Sequence, residues 1–131
     1  MRILIVEDHF LVSEALRLTL VEAGHIVVAV ASEASEAVRL AAEHSPDLAL
    51  VDIQLAQGSN GIDAARAMEQ DFAVPCFFVT SNPEAARLAG RVGLGCLTKP
   101  YTAEEVRAAV QAAEKILNGG EVDARGGFEL Y

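Results

Sequence analysis

Apolar residues along this chain fall into two alternating patterns. Residues 2–7, 26–31, 48–52, 76–80 and 95–98 are short runs, most of them apolar throughout. Runs of that length without polar alternation predict strands covered on both faces of a sheet. Between the first two, Val12, Ala15, Leu16, Thr19, Leu20 and Ala23 recur at three and four residues. That spacing predicts a helix whose single apolar stripe packs on the sheet. Further helices are predicted over 33–43, ending ahead of Pro46, and over 61–70, with Ile62, Ala65 and Met68 spaced along it.

Start signals place the last two helices. In Asn82-Pro83-Glu84 the Asn accepts from free backbone N–H groups, Pro tolerates the first helical position and Glu suits the positive dipole end. Thr102-Ala103-Glu104-Glu105 has the form of a capping box, followed by the stripe Val106, Val110, Ala113 and Leu117. Parallel strands joined by right-handed helical crossovers predict an α/β fold: a flavodoxin-like, doubly wound, five-stranded parallel sheet with five helices in a three-layer α/β/α sandwich. The expected organisation is one domain over 1–118 and, because 119–131 is Gly-rich, a loose tail.

Composition narrows the class. At 131 residues with 52% hydrophobic and 22% charged side chains, the chain matches one compact domain. A net charge of −9 argues against direct nucleic-acid binding, which needs clustered Lys and Arg. The first apolar run stops at Glu7, too short for a signal peptide or a membrane span, so the cytoplasm is the expected compartment and no membrane partner is expected. Cys76 and Cys96 lack metal-ligand spacing and are read as buried free thiols.

In a doubly wound sheet the ligand site lies beyond the carboxyl ends of the strands. Glu7 and Asp8 end the first predicted strand, Asp52 the third, Thr80 the fourth, and Lys99 follows the fifth. Carboxylates gathered at one edge repel unless a cation neutralises them, and a hard divalent ion with oxygen ligands such as Mg²⁺ suits the set. A central carboxylate can then act as a nucleophile toward a phosphoryl group. The charge of that transition state needs a metal, a fixed cation and a hydroxyl donor, matching Mg²⁺, Lys99 and Thr80.

These residues resemble the receiver domains of two-component response regulators, from Ile3 to about Leu117. The resemblance implies Mg²⁺ held by Glu7, Asp8, Asp52 and the backbone carbonyl of Gln54. It implies Asp52 as phospho-acceptor, Thr80 as switch hydroxyl, Lys99 as the fixed cation and a cis Lys99–Pro100 bond. The expected phosphodonor is a histidine kinase or phosphotransfer protein. A signalling switch with a slow self-dephosphorylation, tuned by Gln54 and Asn82, is expected rather than a turnover enzyme; the downstream protein is not identified. The stretch from Asp52 to Asp63 is also similar to receivers of alphaproteobacterial general-stress regulators. The resemblance departs at Cys96, where many receivers carry Tyr or Phe; Tyr101 is a candidate substitute or simply a ring over the last helix.

Arg87, Arg91 and Arg107 fit either a partner-binding face, with a phosphorylation-dependent homodimer through the fourth and fifth helices, or solvated surface charge. His9, His25 and His44 are assigned no role, and Gly58 and Gly61 are read as turn glycines. Two other functions stay open: a phosphorylation-independent binding module or a receiver cut from a larger protein, and a Mg²⁺-dependent phosphoryl-transfer enzyme working through an aspartyl phosphate.

Overall fold

Local patterning and tertiary order agree closely in the computed structural model, which describes residues 1–90, 92–123 and 127–131. The elements are β1 (Arg2–Val6), α1 (Phe10–Glu22), β2 (Ile26–Ala31), α2 (Ala34–His44), β3 (Leu48–Val51), α3 (Gly61–Phe72), β4 (Cys76–Thr80), α4 (Pro83–Leu88), β5 (Gly95–Thr98), α5 (Ala103–Leu117) and β6 (Phe128–Leu130). A 3₁₀ turn at Ala56–Gly58 interrupts the path from β3 to α3. Among the described residues, no helix is long and apolar enough to cross a membrane.

The sheet runs β2-β1-β3-β4-β5-β6. The five predicted strands pair in parallel, and β6 joins β5 antiparallel, with Gly95 opposite Leu130, Cys96 opposite Glu129 and Leu97 opposite Phe128. The end of the predicted loose tail is therefore a sixth strand. Its cause is legible in hindsight: Phe128-Glu129-Leu130 alternates apolar and polar, and the free edge of β5 offers unpaired backbone groups. Gly95 makes the approach possible, because a Cβ there would lie 2.2 Å from the Glu129 carbonyl oxygen.

Helices cover both faces of the sheet and enclose two cores. One joins Leu4, Val6, Val51, Phe78 and Cys96 to Ala37, Ala41, Ala65, Met68 and Ala86 from α2, α3 and α4. The other joins Ile3, Ile5, Phe77, Val79 and Leu97 to Leu16, Leu20, Val106, Val110 and Ala113 from α1 and α5. β3 and β4 are buried throughout, as their apolar runs predict. β2 is not: it forms the outer edge, and its Ile26 is 60% exposed, so an apolar run here marks position in sequence rather than depth.

The predicted caps form. The Asn82 side-chain Oδ1 accepts from the Ala85 N–H, and Thr102 and Glu105 complete a reciprocal capping box at α5. Asn60 caps α3 by accepting from the Ile62 N–H at 2.7 Å.

Candidate active site at the carboxyl ends of the strands

Strand endings create the site. β1 and β3 stop at Val6 and Val51, one residue short of the predicted strands, so Glu7 and Asp52 are the first residues released beyond the ladder. Asp52 is still held by its N–H, which donates to the Val6 carbonyl at 2.9 Å. Glu7, Asp52 and Thr80 are the polar residues driven into the interior here, at 5%, 7% and 1% exposure for the whole residue. Buried charge is costly unless paired, and Lys99 supplies the pair. Its Nζ donates to Glu7 Oε1 at 2.5 Å and to Asp52 Oδ2 at 3.0 Å.

The electrostatics follow. Burial raises the Glu7 carboxyl above its usual range, against the opposing hydrogen bonds from Lys99 and the His9 N–H. Burial alone would lower the Lys99 ammonium, but its bonds to Glu7 and Asp52 prevail and hold it above its ordinary value. Lys99 is thus a permanently charged bridge. The Lys99–Pro100 bond is cis. Tyr101 is half-buried against the α1–α5 core, and burial raises its phenol.

A cleft of about 420 Å³ opens over this group, lined in part by Asp8, Asp52, Gln54, Ser81 and Lys99. Donor atoms of Glu7, Asp8 and His9 lie within 4.8 Å of one another. Glu7 Oε1 is taken by Lys99 and its Oε2 accepts from the His9 N–H at 3.3 Å. Asp8 differs: its Oδ1 is buried and accepts no hydrogen bond, although His9 Nδ1 stands 3.3 Å away. An orphaned carboxylate oxygen beside a second carboxylate fits a hard cation. Of the four predicted ligands, Glu7 and Asp8 share the close cluster; Asp52 and Gln54 reach the ion-sized space only as walls of the cleft.

The β3–α3 loop is shaped around Asp52. Gln54 pairs with Asn60 through hydrogen bonds of their neighbours, Leu55 N–H to Ser59 O and Gly61 N–H to Ile53 O, which leave the Gln54 carbonyl out of the bridge. Gly61 is a correction: it is the first residue of α3, and a Cβ there would stand 1.9 Å from the Asp52 carbonyl oxygen. It is required by close packing, whereas Gly58, at φ +69° with open space around it, is a turn glycine. Sequence reasoning passed over Ser81, which lines the cleft and whose adjacency to Thr80 was the available signal. His9, assigned no role, stands at the start of α1 with its ring 72% exposed at the cleft rim.

On the far side of Thr80, its Oγ1 accepts from the Asn82 N–H at 3.1 Å, so the hydroxyl is joined to the cap of α4. Arg91, considered above for a partner face, lies outside the described residues; Arg87 forks to Glu129 of β6. Cys76 and Cys96 are free and buried, as expected.

Comparison with known proteins agrees with this geometry. Residues 3–111 match the family model of the response regulator receiver domain. The chain is 39% identical over 113 residues to the phyllosphere-induced regulator PhyR of Methylorubrum extorquens, covering 85% of this chain and 42% of that protein. The solution structure of the Erythrobacter litoralis PhyR response regulator REC domain superimposes with a TM-score of 0.82 at 33% identity, covering 93% of this chain and 95% of that one. An anti-anti-sigma factor PhyR mutant from Bartonella quintana gives a TM-score of 0.80 at 31% identity, covering 91% and 50%. The chain spans about half the length of the curated relatives it matches. A parallel α/β sandwich with an acid cleft at its strand ends, matched over most of its length to these proteins, belongs to the response regulator receiver domain family.

Proposed function

We propose that Asp52 accepts a phosphoryl group, with Mg²⁺, from the phosphohistidine of a histidine kinase or phosphotransfer protein. One observation carries the reading: Lys99 grips one oxygen of buried Asp52 while the carboxylate opens onto a cleft in which Asp8 keeps an unpartnered oxygen. Glu7, Asp8, Asp52 and the Gln54 carbonyl would hold the ion. Mg²⁺, when bound, supplies charge neutralisation for the incoming phosphoryl oxygens.

The chain's own groups divide the remaining work. With Oδ2 held by Lys99, Asp52 Oδ1, restrained only by the Gln54 N–H at 3.4 Å, is the oxygen that attacks phosphorus. The P–N bond of the donor breaks as the P–O bond forms, and the imidazole leaves with its electron pair. Lys99 and the Thr80 hydroxyl then face the phosphoryl oxygens, and Thr80 gives up the Asn82 N–H to do so. Gln54 and Asn82 flank the route of an attacking water and tune the lifetime of the acyl phosphate.

A protein donor suits the rim. Phe10 and Leu11 are 73% and 80% exposed beside an apolar groove of about 510 Å³ that shares Val12, Ser81 and Lys99 with the acid cleft. The output we infer is altered protein binding, in keeping with the relative described as an anti-anti-sigma factor. Intact-mass analysis after acetyl phosphate and Mg²⁺ tests the acceptor: a phosphoryl adduct is expected in the wild type and none in Asp52→Asn. Equal adducts in both would overturn it.

A further inference from the structure

His9 is the one residue of the acid cluster that the phosphoryl chemistry above leaves unused. It stands at the N-cap of α1, where an oxygen side chain would bond free N–H groups of the first turn, and its ring makes no such bond. The ring instead lines the acid cleft, with Nδ1 3.3 Å from Asp8 Oδ1 and 3.5 Å from Glu7 Oε2. Lys99 takes the other oxygen of Glu7, and Asp8 Oδ1 is sealed from solvent without a hydrogen-bond partner. Three donor groups thus converge within 4.8 Å of one another.

The two printed separations are those of a coordination polyhedron. With bonds of about 2.1 Å to a central ion, neighbouring donors stand about 3.0 Å apart in an octahedron and about 3.4 Å apart in a tetrahedron. Charge agrees with the geometry. Glu7, Asp8 and Asp52 face the single ammonium of Lys99, which leaves this end of the sheet short of positive charge by one divalent ion. The donor set then selects among such ions. Mg²⁺ takes oxygen ligands and not imidazole, whereas an imidazole nitrogen beside two carboxylates suits Zn²⁺, whose sites with three protein ligands keep a position open.

We propose that Glu7 Oε2, Asp8 Oδ1 and His9 Nδ1 form a Zn²⁺ site at the corner between β1 and α1, with His9 as the ligand that sets its specificity. The site draws on Glu7 and Asp8, which Mg²⁺ also needs, but not on Asp52 or Gln54. Zn²⁺ and Mg²⁺ therefore exclude each other, and Zn²⁺ in the corner keeps Asp52 from accepting a phosphoryl group. This exclusion rests on the acceptor reading above; the Zn²⁺ site itself does not.

Calorimetric titration of the full, chelator-treated chain with zinc chloride, read together with the histidine ring resonances, tests the site. The wild type should bind one equivalent, with the His9 ring shifted and the rings of His25 and His44 in place. His9→Ala and His9→Gln should each weaken zinc about tenfold or more, the scale that even a partner supporting a metal ligand commands, while magnesium chloride binds both within about twofold of the wild type. Equal zinc affinity in the wild type and His9→Ala overturns the proposal, as does a zinc shift confined to His25 or His44. Zinc should also suppress the adduct formed with Mg²⁺ and acetyl phosphate, and His9→Ala should need about ten times more zinc for the same suppression. Suppression at one zinc concentration in both proteins, or none in the wild type, overturns the exclusion. If the wild type forms no adduct with Mg²⁺ alone, the acceptor reading fails and the Zn²⁺ site stands.

Discussion

Lys99 pairs with two carboxylates, at the ends of β1 and β3, and Arg87 with one, on the edge strand β6, and the two work in different surroundings. The Lys99 side chain is 21% exposed between the side chains of Glu7 and Asp52 at 4% and 9%, whereas the side chains of Arg87 and Glu129 are 56% and 33% exposed. Removing one partner of a buried set strands a charge, and removing one of an exposed pair does not. The first arrangement can hold a reactive carboxylate rigid. The second is an exposed pair on a short helix and can be made and broken at little cost.

The sharpest break in the comparison is Asp52→Asn, which should abolish the phosphoryl adduct while leaving thermal stability close to the wild type, since it removes a buried charge rather than exposing one. Lys99→Ala should act in the opposite sense. It leaves Glu7 and Asp52 buried without their cation, at a cost of about 3–5 kcal/mol in urea unfolding, and added Mg²⁺ should raise this variant's midpoint more than the wild type's. A midpoint unchanged from the wild type would mean that the carboxylates escape to solvent.

Gly61→Ala probes the wall behind Asp52. Its methyl group overlaps backbone, which no rotamer relieves, so a loss of about 1–3 kcal/mol and a lower adduct yield are expected together. Equal stability of the variant and the wild type would contradict the packing role. At the exposed end, Glu129→Ala should cost less than about 1 kcal/mol. Its effect should appear in thiol labelling instead: burial pushes the Cys96 thiol up to about 11, so the native protein labels slowly near neutral pH and faster as pH rises toward that value. Freeing β6 should speed Cys96 labelling and leave Cys76, which is walled in on both sides of β4, unreactive.

Much of this molecule was legible from spacing alone. Strands 26–31, 76–80 and 95–98 have the predicted bounds, and the α5 capping box forms between the very residues that announce it. Glu7, Asp8, Asp52, Thr80 and Lys99 were found because a parallel sheet sends every strand's carboxyl end to one side. Their partnerships were less visible. That Lys99 holds Glu7 and Asp52 while Asp8 keeps an unpartnered oxygen depends on ångström distances between residues up to 92 positions apart.

The chain's own pattern determined the alternation of strand and helix, the caps, and which chemistry collects at the strand ends, because period, capping and strand polarity are local properties. Tertiary structure alone decided how deep each strand sits, as exposed β2 and buried β3 illustrate, and why Gly61 must lack a side chain. It also decided the fate of the C-terminus. Three alternating residues are too few to form a strand by themselves; an open edge, a glycine at position 95 and an arginine on α4 made them one.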